Sequence, residues 1–258
     1  MKTTIFSQIS IDGKLTFGAG KSSKELFSLF SAQDMKFIHR FRGNVQGIMV
    51  GKNTILTDNP FLTNRYEKNK NPIRIIPTTT LDISLDSNVL SDQGKTIIVT
   101  TEQGRDDYKI QQIRERGKDC LICGEDKVDF VELERQLEDK YGIIDLMVEG
   151  GGILNWHVFN QGLVDEIILM QLPIIIGGSS NITLVDGEGY QEMSFTKKFK
   201  VVEIQPKHNY TLIRYKKSDS TDAGGHHRDI TFKSEPTISS RYIHDGRGTS
   251  RPRAYFKS

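Results

Sequence analysis

The chain has 258 residues, 36% of them hydrophobic, with 35 Lys and Arg against 33 Asp and Glu and a formal net charge of +2. That is enough apolar material for one sizeable core, and too small a charge imbalance to imply a nucleic-acid or membrane partner. The two cysteines exclude a disulfide scaffold and suit a reducing compartment, and no apolar run is long enough to span a bilayer.

The first residues lack the long apolar stretch of a secretory signal, so a soluble, cytoplasmic protein is expected. Residues 3–11 read as a first strand. Between 26 and 41, apolar residues fall at helical spacing at Leu26, Leu29 and Phe30, then at Phe37, Ile38 and Phe41. Residues 45–50 form a short apolar strand, and 73–76 and Thr96–Thr100 are β-branched runs suited to strands. Residues 107–116 read as a helix stopped by Gly117, and 120–123 as another short strand. Phe130–Tyr141 is an amphipathic helix stopped by Gly142. Residues 143–148 are almost continuously apolar, the pattern of a strand covered on both faces. Glycines 150–152 open a helix that runs through Phe159. Glu166–Leu172, 199–205 and 211–216 are late strands.

This alternation predicts an α/β fold with a mostly parallel central sheet and helices on both faces. The late strands have no helices between them, which predicts an antiparallel edge. From 218 to 258 the chain turns to Ser, Gly, Arg and His, with seven Lys or Arg and five Asp or Glu. It reads as a disordered tail following a domain of residues 1–217. A weak nucleic-acid or partner contact is the other reading of that tail.

Three segments carry candidate chemistry. In Met147-Val148-Glu149-Gly150-Gly151-Gly152-Ile153 a buried strand ends in glycines where a helix begins. Glycines let a ligand approach the backbone, and the helix N-terminus favours a pyrophosphate. A plain strand–helix turn explains the glycines as well. Glu149, at the strand end, is placed to bond ligand hydroxyls or to cap the helix. The second segment, residues 51–65, follows the 45–50 strand and has few core residues. Its Gly, Thr and Asp suit cofactor phosphates and ribose, and Arg65 could grip a substrate phosphate as a fork. A capped turn with an exposed Arg is the alternative. The third is Ser10-Ile11-Asp12-Gly13-Lys14, whose Asp-Gly is also an ordinary turn signal.

Together these segments resemble the riboflavin-pathway reductase family, in its stand-alone form. The resemblance spans about residues 2–217. It rests on Ser10 to Lys14, on Ile48 to Gly51 with Thr54, Asp58, Pro60, Leu62, Thr63 and Arg65, and on Val148 to Gly152. It rests further on Gly162 to Glu166, on Pro173 to Gly178, and on Asp186 to Gly189. It implies a dihydrofolate-reductase-like fold and a homodimer. It implies a nicotinamide cofactor, NADPH or else NADH, on Ile9, Thr54, Asp58, Gly151, Gly152 and Ile153. It places Ser22 or Ser23, Arg42, Leu62, Arg65 and Glu149 on the substrate. Two departures stand out. The family's Val-Asp-Ser after the third strand is Ile76-Pro77-Thr78-Thr79 here, where Thr79 could replace the hydroxyl. The family's paired Asp before Pro is Asp58-Asn59. The H-x-E and P-C-x-x-C pair of a zinc deaminase is absent from this sequence, so no deaminase is expected in it.

The implied reaction reduces C1′ of an opened ribosylamino-pyrimidine 5′-phosphate, a small-molecule substrate. Glu149 is the candidate for steering the opened sugar, and no strong general acid is evident. No metal site is expected: Cys120-Leu121-Ile122-Cys123 is a lone C-x-x-C on a strand. Trp156 and His157 read as packing or surface residues. Two other functions remain open from sequence: a reductase of another pteridine or pyrimidine, and a non-catalytic nucleotide-binding protein.

Overall fold

Successive strand residues point to opposite faces of a sheet, and here both faces are apolar. Ile48, Met49 and Val50 are each buried to within 1%, and they alternate between two clusters. A sheet with two apolar faces must carry helices on both. The computed structural model shows this arrangement. It describes residues 1–18, 20–67 and 70–218, and the backbone alone of Thr231–Phe232, Ser239–Arg241 and Arg253–Tyr255.

The strands are β1 (Lys2–Ser10), β2 (Gly47–Val50), β3 (Ile73–Pro77), β4 (Thr96–Thr100), β5 (Asp119–Ile122), β6 (Asp145–Gly150), β7 (Glu166–Leu172), β8 (Phe199–Pro206), β9 (Thr211–Lys217) and β10 (Thr231–Phe232). They lie in the order β10-β8-β9-β7-β1-β6-β2-β3-β4-β5. From β7 to β5 every pairing is parallel, whereas β9 runs antiparallel to both β7 and β8. The antiparallel edge expected from the late strands is therefore present. The expected disordered tail, residues 218–258, lies outside the described residues apart from Ser218 and the short backbone pieces named above.

The helices are α1 (Ala32–Gly43), α2 (Lys52–Asp58), α3 (Asn88–Ser91), α4 (Asp107–Glu115), α5 (Phe130–Tyr141) and α6 (Gly152–Asn160). Helices α5 and α6 cover one face, through Phe130, Leu133, Leu137, Leu154, Val158 and Phe159. The other face is covered by α1 through Ile38, and by α2, α3 and α4 through Ile55, Leu90 and Ile110. Helix α5 shows why its bounds were readable. Asp129 caps its first amides, Phe130, Leu133 and Leu137 recur on one face, and Gly142 closes it at φ +65°. No helix among the described residues is long and apolar enough to cross a membrane.

Two expectations are corrected. The continuous helical spacing from 26 to 41 is broken into a 3-10 turn, Ser23–Leu29, and α1. The break is a capping box: Ser31 Oγ accepts from Asp34 N, and Asp34 accepts from Ser31 N at 2.8 Å. Residues 51–65, read as a segment with few core residues and no helix, contain α2. That helix is seven residues long with a single buried residue, Ile55, so it has no apolar period to detect.

Cys120 and Cys123 face opposite sides of the sheet, in different apolar clusters. They cannot act as a pair. Burial pushes the Cys120 thiol up to about 11 and the Cys123 thiol up to about 12. The thiolate is the reactive form. The native protein should therefore resist iodoacetamide at pH 8 and be alkylated only as fast as it unfolds, as followed by intact mass. Labelling at the rate of a free thiol would mean that β5 is open to solvent.

Candidate active site

Parallel strands all finish at one edge, and ligands of open α/β sheets bind outside that edge. The segments following β1, β2, β3, β6 and β7 gather there, and they contain the sequence motifs.

On the α6 side, the backbone builds the site. Gly151 has φ +98°, a conformation that only glycine adopts without strain, and a β-carbon there would meet nothing within 4 Å. The space above this turn is open. Among the described residues no side chain caps the N-terminus of α6, which leaves its first amides without a side-chain acceptor. Gly152 is a glycine for a different reason: a β-carbon would run into the Asp186 carboxylate. Asp186 in turn accepts from Thr183 Oγ1 at 2.6 Å, and its amide donates to Gly152 O at 3.0 Å. Asn155, fully buried in α6, donates to Leu184 O at 2.7 Å. These bonds press residues 183–186 against the turn. Ile153 is exposed at the rim.

The Asp12 motif is a stitch between two strand exits. Its carboxylate accepts from Ser10 Oγ at 2.6 Å, Ile176 N at 3.1 Å and Gly177 N at 2.7 Å. The Ser10 hydroxyl, then the Ile176 and Gly177 amides, hold its pKa down at about 2. Ile9, just before, is 5% exposed and belongs to the core, so any ligand contact there is with its edge or backbone.

On the α1 side, side chains build the site. Arg42 and Glu149, each placed on the substrate by resemblance, lie against each other. Arg42 Nε and Nη2 donate to the two Glu149 oxygens at 2.5 and 2.6 Å. Their side chains are 14% and 16% exposed. Burial opposes the Arg42 charge, but the Glu149 charge and hydrogen bonds outweigh it and hold the guanidinium above its ordinary pKa. One turn earlier on α1 stands His39, 3% exposed, a residue with no motif signal in the sequence. Its Nδ1 lies 3.1 Å from Thr63 O and 3.3 Å from Arg65 N. One tautomer donates to the carbonyl, and the other accepts from the amide. Burial, then the charges of Arg42 and Arg65, depress its pKa, so the imidazole is neutral at neutral pH. Arg65 itself is exposed, and among the described residues no carboxylate pairs with it.

The remaining predicted residues divide. Leu62 is 3% exposed, with its side chain in the core and its backbone at φ +53°. Only that backbone can meet a ligand. Ser22 Oγ is engaged as a cap, accepting from Lys24 N at 3.0 Å, while Ser23 is half-buried with its hydroxyl uncommitted among the described residues. Thr54 is half-buried in the first turn of α2. Thr79 is exposed, and its carbonyl accepts from Thr101 Oγ1 at 3.3 Å. Asp58 ends α2, and its Oδ1 is buried without a partner among the described residues. A donor from a ligand would satisfy it.

Removing one member of the Arg42–Glu149 pair strands the other. Glu149→Gln and Arg42→Met should each lower unfolding free energy by about 1–3 kcal/mol. The double replacement should lose clearly less than the sum, because both changes remove one interaction. Urea unfolding of the three variants measures this, and simple additivity would mean that the two side chains are not coupled.

Comparison with known proteins places this geometry. The model of the RibD C-terminal domain matches residues 1–213. The chain is 47% identical over 190 residues to a 2,5-diamino-6-ribosylamino-4(3H)-pyrimidinone 5′-phosphate reductase of Aquifex aeolicus, covering 73% of this chain and 84% of that one. It is 32% identical over 207 residues to the protein of the same name from Methanothermobacter thermautotrophicus, covering 79% and 90%. Two solved structures share the fold. RibD of Acinetobacter baumannii matches with TM-score 0.70 at 18% identity, over 84% of this chain and 58% of that one. The Saccharomyces cerevisiae riboflavin biosynthesis reductase Rib7 matches with TM-score 0.63 at 21% identity, over 84% and 90%. The chain belongs to the RibD C-terminal domain family and has the dihydrofolate-reductase-like fold of these reductases.

Proposed function

We propose that this chain reduces the ribosyl group of 2,5-diamino-6-ribosylamino-4(3H)-pyrimidinone 5′-phosphate to the ribitylamino product, using NADPH, as a step of riboflavin biosynthesis. The names of its relatives supply the reaction class. The observation that carries the assignment is one juxtaposition on the α1 side. Arg65, exposed and unpaired among the described residues, and Glu149, a carboxylate held in place by Arg42, both act electrostatically on His39. The first suits a phosphate and the second suits sugar hydroxyls.

A nicotinamide cofactor fits the residues present. The open space at Gly151, the uncapped first turn of α6 and the unpartnered Asp58 Oδ1 are what a pyrophosphate and hydroxyl-bearing ligand would occupy. Ile9, Thr54, Asp58, Thr79, Gly151, Gly152 and Ile153 would hold it. When bound, it supplies the hydride, and the protein supplies position and field. Arg65 anchors the substrate phosphate. Glu149 accepts hydrogen bonds from the opened sugar and sets its orientation. Arg42 holds the Glu149 carboxylate in position, and the proton comes from water. Orienting the two reacting carbons accounts for most of the acceleration. A homodimer is the assembly we propose, tested by sedimentation.

The direct experiment mixes the protein with the authentic substrate and NADPH, or NADH in parallel, and follows nicotinamide absorbance. Absence of consumption with either cofactor would overturn the assignment. At the turn, Gly151→Asp should abolish cofactor binding in a fluorescence titration while the protein remains folded, since it places an anion where phosphate binds. Gly151→Ala separates backbone strain from charge and should weaken binding only partly. At the substrate, a bidentate charged contact contributes about 1.5–3 kcal/mol, so Arg65→Ala should raise the Michaelis constant roughly ten- to a hundredfold and spare cofactor affinity. The variant should also lose most of the preference for phosphorylated over dephosphorylated substrate. An undiminished preference would place the phosphate elsewhere.

A further inference from the structure

Arg74 lies on β3, an interior strand, and is 1% exposed. A guanidinium has five N–H donors, and here each has an acceptor. Nε donates to Lys95 O at 3.4 Å. Nη1 donates to Phe61 O at 3.1 Å and to Asp92 Oδ2 at 2.8 Å. Nη2 donates to Asp92 Oδ1 at 2.6 Å and to Gly94 O at 2.7 Å. Lys118 Nζ closes the group from below, on Asp92 O at 2.6 Å and Gly94 O at 2.8 Å. Gly94 is glycine because a β-carbon there would stand 2.6 Å from Arg74 Nη2 and 2.8 Å from its Cζ.

Fold stability is a weak reason for such a group, since apolar side chains of similar volume often replace a buried ion pair without loss. An apolar side chain could not hold the Phe61 carbonyl. Phe61 immediately precedes Leu62, whose φ of +53° is unusual for a branched side chain. It lies four positions before Arg65. The stretch is held again downstream, at Thr63 O or Arg65 N by His39 and at Asn64 N by Asn71 Oδ1 at 2.8 Å. On the upstream side of Leu62, the bond to its preceding carbonyl is the one from Arg74.

We propose that Arg74 is a positioning residue: by gripping the Phe61 carbonyl, it keeps Leu62 in its left-handed conformation and aims Arg65 at the substrate phosphate. The inference rests on the assignment of Arg65 made above. Asp92 and Gly94 orient the fork, Lys118 backs them, and none of the four touches substrate.

Arg74→Lys tests it, because an ammonium keeps the charge beside Asp92 but cannot also reach Phe61 O as a planar fork does. The Michaelis constant should rise about five- to thirtyfold, with kcat and NADPH affinity within about twofold of wild type. Amide hydrogen exchange should quicken across 62–66 and stay unchanged in β4. In an Arg65→Ala background, Arg74→Lys should add less than about twofold, because both changes remove the same contact. Equal factors in both backgrounds, or unchanged exchange across 62–66, would overturn the proposal. If Arg65→Ala alone leaves the Michaelis constant unchanged, the phosphate assignment itself has failed and this inference falls with it. Should Arg74→Lys not fold, Arg74→Met combined with Asp92→Leu removes both charges and carries the same expectations.

Discussion

A carboxylate at the end of a buried strand is tolerable only if something compensates its charge, and at Glu149 that compensation is Arg42. The pair is side-on and bidentate, with both contacts short. Arg42 belongs to the last turn of α1, where the helix dipole favours a cation. The helix is itself placed by the Ser31 capping box at its start and by Ile38 in the core. His39 stands one turn before Arg42 and receives the 63–65 segment. One helix thus fixes both the carboxylate and the approach of Arg65. The position of Glu149 and of the 63–65 segment follows from how α1 is seated.

The opposite side of the edge is organised by backbone. Asp12 and Asn155 reach across with their side chains to bond the main chain of another segment, and Asp186 does so through its amide, on Gly152 O. They tie together the exits of β1, β6 and β7. The Asp12 pKa is lowered in the folded state, so its contribution is complete above the ordinary carboxylate value and is lost only as pH falls toward about 2. At neutral pH the stitch is fully in place. With the surrounding segments fixed, the Gly151 turn keeps its left-handed conformation and the open space above it.

Long periodic elements were legible in the sequence. Phe130–Tyr141 and Glu166–Leu172 have the bounds that their patterns imply, because apolar period and end signals agree. Short elements were not, and α2 with its single buried residue is the example. The break in the 26–41 spacing did carry a signal, Ser31 three residues before Asp34, which the apolar pattern overrode. Pairings across the chain had none. Arg42 and Glu149 are 107 positions apart, and each reads as a free ligand-binding group until the fold brings them together. For Arg74 the hint was a charge inside the apolar run Ile73-Arg74-Ile75-Ile76. His39 looked like any residue on a helix.

Under the proposed assignment, this charge arrangement also bears on catalysis. Two free arginines at the phosphate would hold substrate and product alike, and such uniform binding does not speed the chemical step. Pairing with Glu149 removes Arg42 from that competition, and the depressed pKa of His39 removes the imidazole as a third cation. What faces the phosphate is then one exposed guanidinium. What faces the sugar is a carboxylate already held by Arg42. The anchoring group sits on a loop braced from beneath, and the group nearest the changing bonds sits on the rigid sheet. This division puts positional precision where the reaction occurs and leaves the anchor exchangeable with solvent.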